Sequence, residues 1–334
     1  MINAKLILIG ALLAVTVIVA QEKPHPAEID RIRLAEAFRL SDTLSERVWK
    51  SWKNVTCATL LVTPEYEFLV RHPRPSEDFT LIGYDSLLKG DVYSRKRQFS
   101  INFLAAFPAV GGISTVVIGQ AENTNKKTST PWVVTVLHEH FHQLQESQSN
   151  YFAEVEALNL SRGDNTGMWM LNYAFPYDSH EVIQQFANMT QLLSDTLQSK
   201  TQPEFSKNLA AYLAERQKLK EVLSSDDYKY FSFQIWKEGI ARYTEYRVAK
   251  LAAEDSEPDK QFRALKDFES YETVANQIKS SILNELSIYR IENDKRELFY
   301  SIGGGEGLLL DKVNPNWQDR YFEDKFYIEN YFKP

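Results

Sequence analysis

The hydrophobic period of this chain turns from helical to strand-like after residue 52 and back to helical beyond the stretch that begins at residue 121, and that second change restricts the folds open to it. Before it lie short β-branched and aromatic runs: 55–63 (VTCATLLVT), 66–72 (YEFLVRH), 78–84 (DFTLIGY), 97–104 (RQFSINFL) and 113–120 (ISTVVIGQ). Pro, Gly and Asp separate them, so they are expected as strands of one small sheet. An amphipathic helix, or a pair of them, is expected ahead of the sheet over 29–52. After the polar stretch 121–130, helical spacing dominates. Leu209, Tyr212, Leu213, Val222 and Leu223 line one side of a segment, and Val274, Ile278, Ile282 and Leu286 step by four along another. Thr130 followed by Pro131 reads as an N-cap with proline at the first helical position, so a helix starts at the junction. The expected class is α+β within one domain, 21–334. A sheet lobe (21–120, with 113–120 as its edge strand) precedes a mainly helical lobe (121–334).

The first twenty residues stand outside that domain. MINAK carries one positive side chain, a mostly apolar run continues to Ala20, and polar QEKPHP follows. The run is short for a membrane span, so the pattern predicts a signal peptide, 1–20, with an uncleaved anchor as the alternative. The expected location is therefore secreted, periplasmic or otherwise extracytoplasmic, with no stable membrane insertion after cleavage. Cys57 is the only cysteine, which excludes an intramolecular disulfide. A net charge of −7 without a long basic run argues against a nucleic-acid partner.

The junction helix carries the chemistry. Val134–Gln145 reads VTVLHEHFHQLQ, with His138 and His142 one helical turn apart and Glu139 between them. On a helix the two imidazoles project from one face and can meet one zinc ion at about 2 Å. Glu139 is turned by about 100° around the axis, poorly placed to be a ligand but able to reach a bound water as general base. Val134, Val136, Leu137, Phe141 and Leu144 make the helix apolar, as a buried site requires. His140 lies on another face and is expected to be hydrogen-bonded or exposed rather than a ligand. The metzincin continuation is absent, because Gln145 and Gln148 stand where glycine and histidine are needed.

A third ligand is missing from this stretch. Glu238–Tyr243 (EGIARY) resembles the Glu-Gly-x-Ala-x-Tyr helix of gluzincin zinc metallopeptidases, in particular the aminopeptidase and leukotriene-hydrolase-like branch. The resemblance implies that Glu238 is the third zinc ligand, with one Zn2+ per chain. It implies a thermolysin-like catalytic domain with the His-Glu-x-x-His helix between its lobes. Phe299–Asp311 (FYSIGGGEGLLLD) resembles the family's Tyr-x-x-Gly helix, which implies that Tyr300 stabilises the oxyanion of the tetrahedral intermediate. The alternative for Tyr300 is an ordinary core tyrosine. Four glycines in 303–307 suit a helix poorly, at about 1 kcal/mol each relative to alanine, so a loop there is the competing expectation. Glu245, seven residues past Glu238, shares its face and could orient a ligating histidine, or could be a surface carboxylate. The resemblance covers these three segments, in the family's order, rather than the whole chain.

Two departures limit it. The insertion between His142 and Glu238 is far longer than in typical aminopeptidases. Where that branch has Gly-x-Met-Glu-Asn to hold a substrate's amino terminus, this chain reads Gly111-Gly-Ile-Ser-Thr115. The expected function is thus a zinc metallohydrolase, foremost a peptidase acting on a peptide or protein substrate laid along the strand 113–120, without aminopeptidase specificity. Two alternatives remain: an exported binding protein with a metal-stabilised core, and a zinc hydrolase of a non-peptide substrate. The aromatic stretch 168–177 would line a pocket for the latter, or simply pack.

Overall fold

A computed structural model describes residues 23–332; the expected signal peptide lies outside the described residues. Helix α1 (Glu28–Val48) leads into six strands: β1 (Thr59–Val62), β2 (Tyr66–Val70), β3 (Thr80–Asp85), β4 (Gly90–Lys96), β5 (Leu104–Val110) and β6 (Ile113–Gly119). The helical part follows: α2 (Ser129–Glu146), α3 (Tyr151–Ala157), α4 (Trp169–Asn172), α5 (His180–Gln198), α6 (Gln202–Val222), α7 (Ser225–Gln234), α8 (Ile240–Asp255), α9 (Lys260–Arg263), α10 (Tyr271–Ile288), α11 (Ile291–Asp294), α12 (Glu297–Val313) and α13 (Trp317–Arg320). The class is α+β. No helix among the described residues is long and apolar enough to cross a membrane.

The strands form one sheet in the order β3-β4-β2-β1-β6-β5. Neighbours are antiparallel except β1 and β6, which run parallel, with Leu60 opposite Val117. Alternation sets its two faces. Leu61, Phe68, Val70, Val92, Val116 and Ile118 join the main core beneath the helices. Leu60, Val62, Leu69 and Val117 point the other way, into a smaller cluster with Phe79 that Phe99, Phe103 and Phe107 help to cover.

Two expectations about the sheet fail. Segment 97–103 is not a strand; its aromatics cover the outer face, and the ladder uses β4 and β5 on either side. Nor is 113–120 an edge. Gly111 and Gly112, at φ 55° and 72°, form a two-residue turn that folds β5 back onto β6, as such turns require. With β1 on its other side, β6 is interior, and β5 is the edge.

Helix α2 packs against β5 and β6 on one side and against α1 and α8 on the other. Its start is also two residues earlier than expected. Thr130 is not the cap, for its hydroxyl donates to the Glu269 carbonyl, and Asp267 accepts from the Ser129 N–H and hydroxyl. Arg33, buried in α1, donates to the same Ser129 hydroxyl and to Asp267, which fixes this helix end. The glycines of 303–307 are helical, contrary to the loop expectation, because neighbours occupy the space of a side chain. A Cβ on Gly239 would lie 2.5 Å from the Cα of Gly303, and one on Gly307 would lie 2.5 Å from the Tyr243 ring. Tertiary packing here overrides propensity.

Candidate metal centre

Sixteen of the eighteen residues of α2 are buried, His138, Glu139 and His142 among them. The two ligand-type histidines turn their Nε2 atoms toward each other at 3.2 Å. Glu238 brings Oε2 to 3.3 Å from Nε2 of His142 and 3.8 Å from Nε2 of His138. One donor atom from each of the three lies within 4.8 Å of the others. Tetrahedral bonds of about 2 Å place donors about 3.3 Å apart, so the spacing suits an ion of zinc's size.

The hydrogen bonds behind the ligands sharpen this fit. Gln145 donates its amide to the Trp236 and Lys237 carbonyls and to the Tyr321 hydroxyl, so its Oε1 must accept from Nδ1 of His142, 2.7 Å away. Nδ1 of His138 donates in the same way to Oε1 of Glu245 at 2.8 Å. With both rings neutral, their Nε2 atoms would present lone pairs to a carboxylate, an arrangement that a metal ion or a proton relieves. Burial pulls the His138 imidazolium down, but Glu238 and Glu245 outweigh it and carry the group up to about 10. Burial pushes the Glu238 carboxyl up, and His142 and His138 outweigh that, holding it well below the usual range. Metal uptake must accordingly displace a proton.

Glu238 reaches the histidines from an irregular turn. Between α7 and α8 the helix widens over Ile235–Gly239, where the Ile240 N–H bonds to the Ile235 carbonyl five residues back. Such π turns free backbone carbonyls and occur often at functional sites. Here Gln145 and Tyr321 satisfy the Trp236 carbonyl, and Gln145 the next one. Gly239 lets the turn lie directly on Gly303 of α12.

Glu139 is 6% exposed and lines the cleft without a hydrogen bond to any described residue. Burial raises its carboxyl against the pull of both imidazoles. Tyr300, in the first turn of α12, stacks its ring 6.4 Å from that of His138. Its oxygen accepts from Nη1 of Arg296 at 2.8 Å, which leaves the phenol proton available to the cleft. Burial, reinforced by Glu238, holds the phenol well above its ordinary value, so it stays a donor. Glu245 is no surface carboxylate: it is 5% exposed, with Oε2 paired to Arg242. His140 points away from the cluster, fully buried, with Nδ1 on Gln143 and its ring against Trp52.

These groups share a cleft of about 640 Å³ walled by Phe103–Ala106, Arg242, Glu285, Tyr289, Arg296 and Leu171. The Gly119 N–H bonds to the Phe103 carbonyl. By the alternation of an antiparallel ladder, Leu104 and Ala106 then turn their backbone groups to the open edge. The aromatic stretch mostly packs, with Trp169 on Phe233 and Tyr173 stacked on Tyr230, and Leu171 alone of it reaches the cleft. Sequence reasoning missed Gln145, Arg242 and Arg296. Only their helical spacing from His142, Glu238 and Tyr300 could have signalled them. No family model, curated protein or solved structure matches the chain, so no relative supplies an activity.

Proposed function

We propose that the chain is an exported zinc-dependent hydrolase of peptide bonds, built as a divergent gluzincin in which His138, His142 and Glu238 hold the ion. One observation carries the reading: three lone-pair donors at tetrahedral spacing beside Glu139, a largely buried carboxylate that faces the cleft without a hydrogen bond to any described residue. A buried carboxylate left unpaired is costly, and catalysis is a reason to keep it. Zinc, when bound, would polarise the scissile carbonyl and acidify a water. Glu139 accepts the proton of the attacking water at its carboxylate and returns it to the departing amine. Tyr300, steadied by Arg296, donates its phenol proton as a hydrogen bond to the carbonyl oxygen as negative charge grows there. The outward backbone groups of Leu104 and Ala106 on β5 receive an extended peptide as an added strand, in place of the edge first expected at 113–120. Peptide as substrate is supported by that edge, which a small ester or sugar would leave unused.

The test is hydrolysis of a mixed peptide library by protein lacking residues 1–20, washed with a mild chelator and assayed for metal. About one zinc per chain is expected. Glu139→Gln should keep the metal and lose about 10²–10⁴ of the turnover. A folded protein that neither retains nor takes up zinc would refute the reading.

A further inference from the structure

The cleft has a side pocket behind His138. It holds about 170 Å³, roughly the share of five or six waters at about 30 Å³ each, which is room for one side chain. Lys126, Arg242 and Glu245 line both the cleft and this annex, so they form the neck between them. Beyond the neck the walls are Pro131 and Val134 of α2 and Val274, Gln277, Ile278 and Ser281 of α10.

The charges at the neck are unequal in their commitments. Glu245 gives one oxygen to His138 and the other to Arg242. Arg242 is thereby paired, and it also reaches the Ser281 hydroxyl at 3.3 Å. Lys126 comes from the segment that leads into α2. Its ammonium makes no hydrogen bond or ion pair with any described residue, although its side chain is only half exposed. A lysine that lines a cleft in this way offers a positive charge and three donors not engaged by any described residue. Glu245, which also lines the annex, has both oxygens engaged by His138 and Arg242 and makes no hydrogen bond or ion pair with the ammonium.

We propose that this annex is a specificity pocket for a substrate carboxylate, with the methylenes of the bound group against Val274 and Ile278 and its oxygens on Lys126. The inference rests on the reading of the cleft as a peptide site and names what that site selects. The carboxylate has two possible sources, an acidic side chain or the free end of the peptide. The same pocket disfavours a cationic residue, which would meet the Lys126 ammonium.

Binding, not turnover, tests it. Dissociation constants are measured by calorimetry at low salt, on zinc-loaded Glu139→Gln protein and on that protein without metal. The probes are two matched pairs of N-acetylated peptides. One pair carries glutamate or glutamine within an amidated peptide; the other is an alanine peptide with a free or an amidated end. One acidic member is expected to bind about tenfold tighter than its neutral twin, the scale of one charge-assisted hydrogen bond. The pair that shows the preference identifies the source. Lys126→Met should abolish the preference and leave the neutral twins unchanged, while Lys126→Arg should restore it. Equal binding of acid and amide, a preference that survives Lys126→Met, or no binding of any probe to folded protein overturns the inference. Failure of the peptidase reading is a separate result: the acid preference persists, but wild-type zinc-loaded protein cleaves no peptide.

Discussion

The crossing of the π turn over α12 makes a prediction that separates packing from propensity. Substituting Gly303→Ala places a methyl group against the backbone of Gly239, 2.9 Å from its carbonyl carbon and 3.0 Å from the Ile235 carbonyl oxygen. All of these contacts are backbone, so no side chain can swing aside. Carbon atoms rest about 3.5–4.0 Å apart, so the two helices must separate by about 1 Å. Overpacking of this kind costs about 1–3 kcal/mol, and the rigid surroundings put it at the upper end. Alanine returns about 1 kcal/mol of helix propensity, leaving a net loss of about 2 kcal/mol. Glu238 adjoins Gly239, and metal sites tolerate errors of only about 0.2 Å, so zinc affinity should fall about tenfold or more. Gly304→Ala is the control, because it gains the same propensity but meets side-chain atoms of Ile282, at 3.0 and 3.2 Å, that can yield. Urea unfolding of the metal-free proteins gives the first quantity, and competition with a chelating dye gives the second. If Gly303→Ala matches Gly304→Ala in both, the close crossing does not position Glu238.

Three further outcomes are expected. Glu245→Gln removes the charge behind His138 and should weaken zinc binding about 10–100-fold, measured by the same competition. Tyr300→Phe should retain the metal and lower kcat about 10²-fold with KM little changed; Arg296→Gln, which only steadies the phenol, should do less. Burial lowers the His140 imidazole to about 4, because its Nε2 has no partner and cannot be charged there without loss. The unfolded chain takes that proton from about pH 6.5 downward, so stability is full above pH 6.5 and falls by roughly 3 kcal/mol toward pH 4. His140→Asn should flatten the slope in urea midpoints across that window, and an unchanged slope would assign the acid sensitivity to other groups.

What was legible in the sequence was whatever depends on neighbours along the chain. Helical spacing is local, so the shared face of His138 and His142 could be read directly, as could the buried line from Val274 to Leu286. Strand order is not local. Nothing within 113–120 reveals that β1 pairs beside it, so the edge lies one strand further out, at β5. The strand β4 was overlooked because a buried ion pair replaces the apolar residue a pattern search expects: Arg95 reaches Glu67 at 2.7 Å, and Glu67 is fully buried. Segment 97–103 misled for the opposite reason, since Phe99 and Phe103 are apolar for coverage and not for pairing. The glycines of α12 can be explained only by what they touch. Gln145 was noticed merely as the wrong residue for another family, because its partners Lys237 and Tyr321 lie 92 and 176 positions away.

That last distance bears on when the centre comes into existence. Both imidazoles are present as soon as α2 forms, but the third donor and the amide that orients His142 depend on segments far down the chain. Closing loops of that length is slow and entropically costly before packing rewards it. A chain in which the turn carrying Glu238 has not docked would offer only two histidines on a helix, a weak and unselective trap for divalent ions. On the proposed reading, retention would tighten again when Tyr321 seats against the Trp236 carbonyl and gives Gln145 its third partner. Tight metal loading would in this sense record completed folding, and a chain truncated before Tyr321 should hold zinc more weakly than the full chain, measured by the same dye competition.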